Sequence, residues 1–251
     1  MLFLTFPSKS RIIISVLPLS LRRQGRDRLV GGLCFYCRMP VKTNVYIDGF
    51  NLYHRAVEGT PYKWLDLSKL RRALLPSHQL SRIRYFTAPI FPRPSDPQAP
   101  QRQQMYLRAL TTIPNLTIHF GQFRNRVIMR PLAAQQSRVG RYVQVLDTEE
   151  KGSDVNLATF LLVDGYNKDY EQALVISNDS DLALPIRLVR ETLNLPVGVV
   201  NPNTSPTEYT PKELTDAATF TRRHRRNTLR ASQFPPTLTD AHGVITKPAI
   251  W

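Results

Sequence analysis

The sequence predicts an α/β fold: a central, mostly parallel sheet with helices layered on both faces. Three observations predict it. Short apolar runs alternate along the chain with segments of helical spacing, the pattern of a doubly wound sheet. Aspartates stand at or just past the ends of several of those runs, where open α/β sheets place their ligands. The length, 251 residues, holds one full hydrophobic core with extensions and is short for two domains.

Thr43 to Ile47 reads as the first buried strand, ending at Asp48. A helix begins at Phe50 and runs to Val57, ahead of the loop marked by Gly59-Thr60-Pro61. Asp66 stands at the N-cap of a helix through Leu75, stopped by Pro76. Ser81 to Thr87 is the second strand, and the five prolines of Ala88 to Pro100 make a loop. Gln101 to Thr112 has helical spacing at Met105, Leu107 and Leu110. Leu116 to Phe120 is a third strand, followed by the basic, irregular stretch Gln122 to Arg141, with room for one hairpin. Tyr142 to Leu146 alternates as a short strand before an acidic segment. Asp154 to Val163 is helical, Ala173 to Ile176 a buried strand, Asp181 to Leu193 a helix and Pro196 to Val200 a last strand. Thr210 to Ala218 makes one more helix, with Pro211 in its first turn.

Domain organisation follows from the ends. Met39-Pro40-Val41-Lys42 reads as the start of a domain over residues 39–219. Residues 1–38 form a basic extension, read as disordered or as an overlong start assignment. Within it, Ile12 to Leu21 is too short to span a bilayer and is broken by Pro18, and Arg22 and Arg23 stand where a signal peptide needs small residues. Residues 220–251 hold a basic cluster, Arg222-Arg223-His224-Arg225-Arg226, and a proline-bearing tail expected to lie extended on the surface or to be disordered. That cluster reads equally as a solvated face or as an RNA-contacting patch. Cys34 and Cys37 have no second pair and no nearby histidine to complete a zinc site, so they read as incidental. Two cysteines in all fit a reducing cytoplasm.

Net charge is +15, but its distribution says more than its sum. Leu67 to Leu146 carries thirteen basic residues and one acid, whereas Asp147 to Thr219 carries five basic residues and thirteen acids. A basic half beside an acidic half suits a metal enzyme acting on a polyanion; an uneven solvated surface is the plainer account of the same charges.

The chemistry sits in the acidic half and in the first strand. Asp48, Asp154, Asp179 and Asp181 come from three separate strand-to-helix junctions. Any one of them reads as a helix N-cap. Asp179-Ser180-Asp181 places two carboxylates on one turn, however, where capping needs one. Carboxylates brought together repel unless a cation neutralises them, and oxygen donors without Cys or His select Mg²⁺ or Mn²⁺. Such ions activate water for phosphodiester hydrolysis. Asn51, one helical turn past Asp48, can orient a ligand; Ser177 and Asn178 can offer hydroxyl and amide groups; and Lys151 can meet a phosphate or pair with Glu149 and Glu150. Arg124 and Arg126 lie in the basic stretch expected to hold the nucleic-acid backbone, with Tyr85, Phe86, Phe91 and Phe123 as candidate stacking rings, at least two of which belong to a core.

Three blocks carry a family resemblance: Tyr46-Ile47-Asp48-Gly49-Phe50-Asn51-Leu52, Lys151-Gly152-Ser153-Asp154-Val155 and Ser177-Asn178-Asp179-Ser180-Asp181-Leu182. In order and spacing, from Val41 to Asn201, they resemble the signature blocks of the NYN domain, a branch of the PIN-like metal-dependent ribonucleases. The bacterial branch once grouped as a domain of unknown function is the most similar. The resemblance implies a PIN-like three-layer α/β/α fold. It also implies a Mg²⁺ or Mn²⁺ nuclease site at Asp48, Asp154, Asp179 and Asp181, supported by Asn51. Asn178 departs from the family, in which many members carry glycine, and the insert from Ala88 to Arg141 leaves substrate choice open.

The leading expectation is therefore an RNA endonuclease, with RNA as partner, no membrane, and self-association left open. One alternative is a catalytically weak RNA-binding module of the same fold. Another is an NADH-dependent hydroxylase of the 6-hydroxy-3-succinoylpyridine type, an activity ascribed to some similar chains. Against the latter, Asp48-Gly49-Phe50 lacks the Gly-x-Gly-x-x-Gly dinucleotide turn.

Overall fold

The structure is a computed structural model that describes residues 41–76, 78–132, 142–205 and 207–251. The Cys34/Cys37 pair, the apolar run from Ile12 and the expected extension 1–38 lie outside those residues.

The elements are β1 (Lys42–Asp48), α1 (Gly49–Leu52) continuing into a π-helical turn (Tyr53–Val57), α2 (Leu67–Leu74), β2 (Gln79–Thr87), α3 (Ala99–Leu110), β3 (Leu116–Phe120), β4 (Gln122–Pro131), β5 (Tyr142–Lys151), α4 (Ser153–Tyr166), β6 (Gln172–Ile176), a 3-10 turn (Ser180–Leu182), α5 (Ala183–Thr192), β7 (Val197–Asn201), α6 (Lys212–Ala217), β8 (Phe220–Arg223), α7 (Arg226–Ala231), β9 (Thr237–Asp240) and β10 (Gly243–Thr246). Six strands form one parallel sheet in the order β3-β2-β1-β6-β7-β8. The order reverses between β1 and β6, the topological switch point at which open sheets bind ligands.

Burial explains the layering. The β6 and β7 segments, Gln-Ala-Leu-Val-Ile and Val-Gly-Val-Val-Asn, are buried throughout, as strands covered on both faces must be. Alternate residues of β1 divide between two cores. Val45 and Ile47 pack with Leu67, Leu70 and Leu74 of α2, Leu110 of α3 and Leu229 of α7. Tyr46, on the opposite face, packs with Leu157 and Leu161 of α4, Ile186 and Val189 of α5 and Leu214 of α6. The α/β/α sandwich expected from the sequence is the observed one.

An ionic clamp ties the second core to the sheet. Asp164 of α4 accepts hydrogen bonds from Arg84 Nε and Nη2, each at 2.7 Å, and from the Tyr46 hydroxyl at 2.7 Å. Both partners of the ion pair are buried, so their desolvation must be offset by such contacts, to which Arg82 adds a longer one to Asp164 at 3.8 Å. Arg84 Nη1 lies 3.0 Å from His119 Nε2, and since a guanidinium only donates, His119 accepts as a neutral ring.

Three parts differ from the sequence expectation. First, the basic stretch after Phe120 and the acidic stretch before Gly152 are one antiparallel ribbon, β4 with β5, paired from Gln122↔Lys151 to Pro131↔Tyr142. Charges that read as separate halves in sequence thus stand opposite each other across strands. Second, the sheet does not end at Thr219. Ala218 turns extended, at ψ 154°, and Phe220–Arg223 joins β7 as an edge strand, so the expected boundary after residue 219 falls inside the sheet. Third, the tail is ordered: β9 and β10 form a hairpin, Ile245 is buried in the first core, and Trp64 Nε1 donates to the Pro235 carbonyl at 2.8 Å. The tail apolar residues are too few for a periodic signal, and a large aromatic elsewhere in the chain receives them: Trp64 sits 5.8 Å from Phe234 and 6.1 Å from Trp251, ring to ring.

Candidate active site

Asp48 closes β1 and caps α1. Its Oδ1 accepts the backbone N–H of Asn51 at 3.0 Å, and its Oδ2 accepts the Ser177 hydroxyl at 2.9 Å. Gly49 follows because the chain turns hard against β2: a Cβ there would stand 2.6 Å from the Phe86 carbonyl oxygen. Asn51 Oδ1 accepts the Asn178 N–H at 3.0 Å, tying the first helix to the loop after β6. In that loop, Ser177 Oγ accepts the Asp179 N–H at 3.1 Å, and Asp179 Oδ1 accepts the Asp181 N–H at 3.1 Å as the cap of the 3-10 turn. Asp154 occupies the first turn of α4, behind Gly152 at φ 100°, a left-handed conformation that glycine adopts without strain.

Electrostatics bring these groups into one field. Asp154 is pushed up to about 7, first by burial and then by the negative charges of Asp48, Asp179, Glu150 and Asp181. Asp48 is also raised, chiefly by burial, with Asp179 and Glu150 adding to it while its bonds from Asn51 and Ser177 oppose. Asp48, Asp179 and Asp181 therefore all act on Asp154 through their charge, across the junctions that follow β1, β5 and β6. The caps read as alternatives are real too: Asp48 and Asp179 cap helical turns while belonging to the cluster.

Glu150 is the residue that sequence reasoning misses, since in sequence it reads only as a surface partner for Lys151. It lies at the end of β5, where its Oε1 accepts both the Ser153 N–H at 3.2 Å and the Ser153 hydroxyl at 2.8 Å. Its one available signal is its spacing three residues before Ser153 at a helix start, a side chain reaching an unpaired N-terminal amide.

The other nominated residues fall into two groups. Ser177 is buried and engaged with Asp48 and Asp179, and the Asn178 amide N–H with Asn51, so both hold the site in shape. Lys151 pairs with Glu149. Arg126 pairs with Asp147 at 3.1 Å and Glu149 at 3.6 Å across the ribbon, whereas Arg124 has no ion pair among the described residues. Of the candidate stacking rings, Tyr85 and Phe86 are core residues, Phe91 is exposed, and Phe123 meets Phe50 edge-on at 5.4 Å.

The donor set suits a hard divalent cation in kind: oxygens only, with Asp154 raised by burial and then by the like charges around it. Among the described residues, no three His, Cys, Asp or Glu are gathered closely enough to hold an ion.

A three-layer sandwich with carboxylates at its switch point places polar groups where open α/β sheets bind ligands. The chain belongs to the NYN domain family, whose model matches residues 42–223. The NYN domain is PIN-like, and its members are generally nucleases. The chain is also 30% identical over 239 residues to the 6-hydroxy-3-succinoylpyridine 3-monooxygenase HspA of Pseudomonas putida, a match covering 84% of this chain and 76% of that one. Among solved structures it resembles a protein of unknown function from Vibrio parahaemolyticus, with TM-score 0.46 and 16% identity over 73% of this chain and 93% of the other. A likeness of that size says nothing further about this chain. Among the described residues no helix is long and apolar enough to cross a membrane.

Proposed function

We propose that this chain is a Mg²⁺- or Mn²⁺-dependent ribonuclease whose cation is held by Asp48, Asp154, Asp179 and Asp181, with Glu150 beside them. The observation that carries the reading is the hydrogen-bonded junction in which Ser177 joins Asp48 to the Asp179 loop, beside an Asp154 carboxyl pushed up to about 7 by burial and then by the charges of Asp48, Asp179, Glu150 and Asp181. A buried carboxylate raised by its neighbours gains most when a cation replaces its proton. When bound, the divalent ion supplies an activated water and neutralises charge on the scissile phosphate. The chain's own groups set the stage: Ser177 and Asn51 fix Asp48 and the loop after β6, Glu150 fixes the first turn of α4, and Asp154 would have to give up its proton to hold the cation. Lys151, next in the chain to Glu150, is the candidate contact for the phosphate once it leaves Glu149.

The test is incubation of the purified chain with a mixed RNA pool, with Mn²⁺ or with EDTA, followed by end mapping. Cleavage with Mn²⁺, none with EDTA and none in Asp179→Asn is the expected result. Equal activity in Asp179→Asn and wild type would remove the reading.

The match to the Pseudomonas monooxygenase favours a second reading, hydroxylation of a pyridine ring, because it covers 84% of this chain and so reaches beyond the NYN segment. Consumption of NADH dependent on 6-hydroxy-3-succinoylpyridine, with no RNA cleavage, would establish this reading in place of the first.

A further inference from the structure

The basic segment Arg222–Arg226 has no part in the carboxylate site, yet it leaves the sheet at the same edge. Register pairs Arg223 with Asn201. Extending the Ile176↔Val200 and Ile47↔Ile176 pairings by one residue sets Asn201 beside Ser177, and Ser177 beside Asp48. Paired residues of parallel strands share a face, so Asp48, Ser177, Asn201 and Arg223 form a row across four strands spaced about 4.8 Å apart.

The far end of this row is rich in donors. The Arg223 guanidinium lies over the Tyr209 ring, 5.6 Å from its centre. Arg225 and Arg226 are exposed and have no carboxylate within ion-pair distance among the described residues. Asn201, the register partner of Arg223, and Asn203 are buried, and their Nδ2 groups meet no acceptor. The Asn201 amide is oriented without ambiguity, because its Oδ1 accepts the Asn203 N–H at 2.9 Å. The β4–β5 ribbon is the opposite case. Arg126 and Arg130 are both drawn to Asp147, at 3.1 and 3.6 Å, and Lys151 to Glu149, so its positive charge is largely met from within.

We propose that the end of β8, with Arg223, Arg225 and Arg226, is the surface that grips the phosphates of a polynucleotide strand as it runs along the row to the carboxylates. The exposed Arg225 and Arg226 guanidiniums, without competing carboxylates, match phosphate oxygens. The alignment with the acidic row favours an extended strand over a lipid surface, and no large aliphatic side chain is exposed between residues 220 and 226. The proposal rests on the ribonuclease reading for the fate of the strand, and not for its binding.

The test is fluorescence anisotropy of a labelled single-stranded RNA in EDTA, where cleavage cannot intervene and failure of the nuclease reading leaves the measurement intact. Wild type is compared with the triple variant Arg223→Gln/Arg225→Gln/Arg226→Gln and with Arg124→Gln/Arg126→Gln/Arg130→Gln. The edge variant is expected to bind about tenfold or more weakly, its log affinity against log salt flattened by roughly 0.7 for each phosphate no longer neutralised. The ribbon variant should stay within about threefold of wild type. Arg225→Gln and Arg226→Gln singly give the same slope reading if the triple variant does not fold. No RNA binding by wild type, a loss confined to the ribbon variant, equal affinity in all three, or tighter binding to phosphatidylserine vesicles than to RNA would each overturn the proposal.

Discussion

Ser177 Oγ donates to Asp48 Oδ2 at 2.9 Å and accepts the Asp179 N–H at 3.1 Å, so one buried hydroxyl joins the ends of β1 and β6 to the loop that carries the second pair of aspartates. This bond opposes the burial that raises Asp48. Ser177→Ala should therefore leave the fold intact at a cost of about 1–3 kcal/mol, raise the Asp48 carboxyl further and weaken Mn²⁺ binding. Titration calorimetry across pH checks it: unchanged Mn²⁺ affinity in the variant would separate Ser177 from the site.

Asp154, at about 7, sets a pH dependence of its own. A cation must displace its proton, so Mn²⁺ affinity should fall about tenfold per pH unit below about 7 and level off above it. The stability term has the reverse sign. A carboxylate raised in the fold above its ordinary 3.8 is protonated more readily in the native state, so its contribution is lost as pH rises from about 4 to 7. Thermal melts without metal should decline over that range, and Asp154→Asn should flatten the decline. Added Mn²⁺ should restore stability above pH 7 in wild type only.

Glu150→Gln removes a negative charge that raises both Asp48 and Asp154 while keeping an oxygen for Ser153. The acid limb of Mn²⁺ binding should move to lower pH with the midpoint of urea unfolding nearly unchanged. A limb that stays in place would mean that Glu150 lies outside the shared field.

The Arg84–Asp164 clamp predicts a stability effect. Asp164→Ala strands a buried guanidinium and removes the acceptor of Tyr46, and should cost about 3–5 kcal/mol in urea unfolding. A loss below about 1 kcal/mol would show that the pair is solvated. His119 adds an acid limit, since burial and the neighbouring Arg84 charge hold its imidazole below the usual range. A lowered base contributes stability that is fully present above its unfolded value, near 6.5, and is lost as pH falls through the folded value. His119→Gln should reduce the acid sensitivity of the unfolding midpoint below pH 6.5.

The C-terminal hairpin should be part of the folding unit. Ile245→Ala removes a buried side chain from the core that Trp64 shares, and should cost about 2–4 kcal/mol. Unfolding followed by Trp64 fluorescence checks this, and an effect under 0.5 kcal/mol would mark the hairpin as an ornament.

The alternating fold and the strand-end positions of the four aspartates are legible in the linear chain, because each is written in local pattern. A four-residue apolar run such as Ala173 to Ile176, followed by Ser-Asn-Asp, signals a covered strand and its ligand-facing edge without reference to anything distant. Which charges meet is settled only by folding. Arg126 reads as a free cation until β4 folds onto β5 and sets Asp147 against it, and Glu150 reads as surface until the ribbon delivers it to Asp154. The last strands are likewise products of the folded chain, since Phe220–Arg223 and the tail hairpin are stabilised by partners far along it, β7 and Trp64. The physical reason is range: backbone periodicity and capping act over a few residues, whereas ion pairing, burial and sheet register depend on distances that only the folded chain supplies.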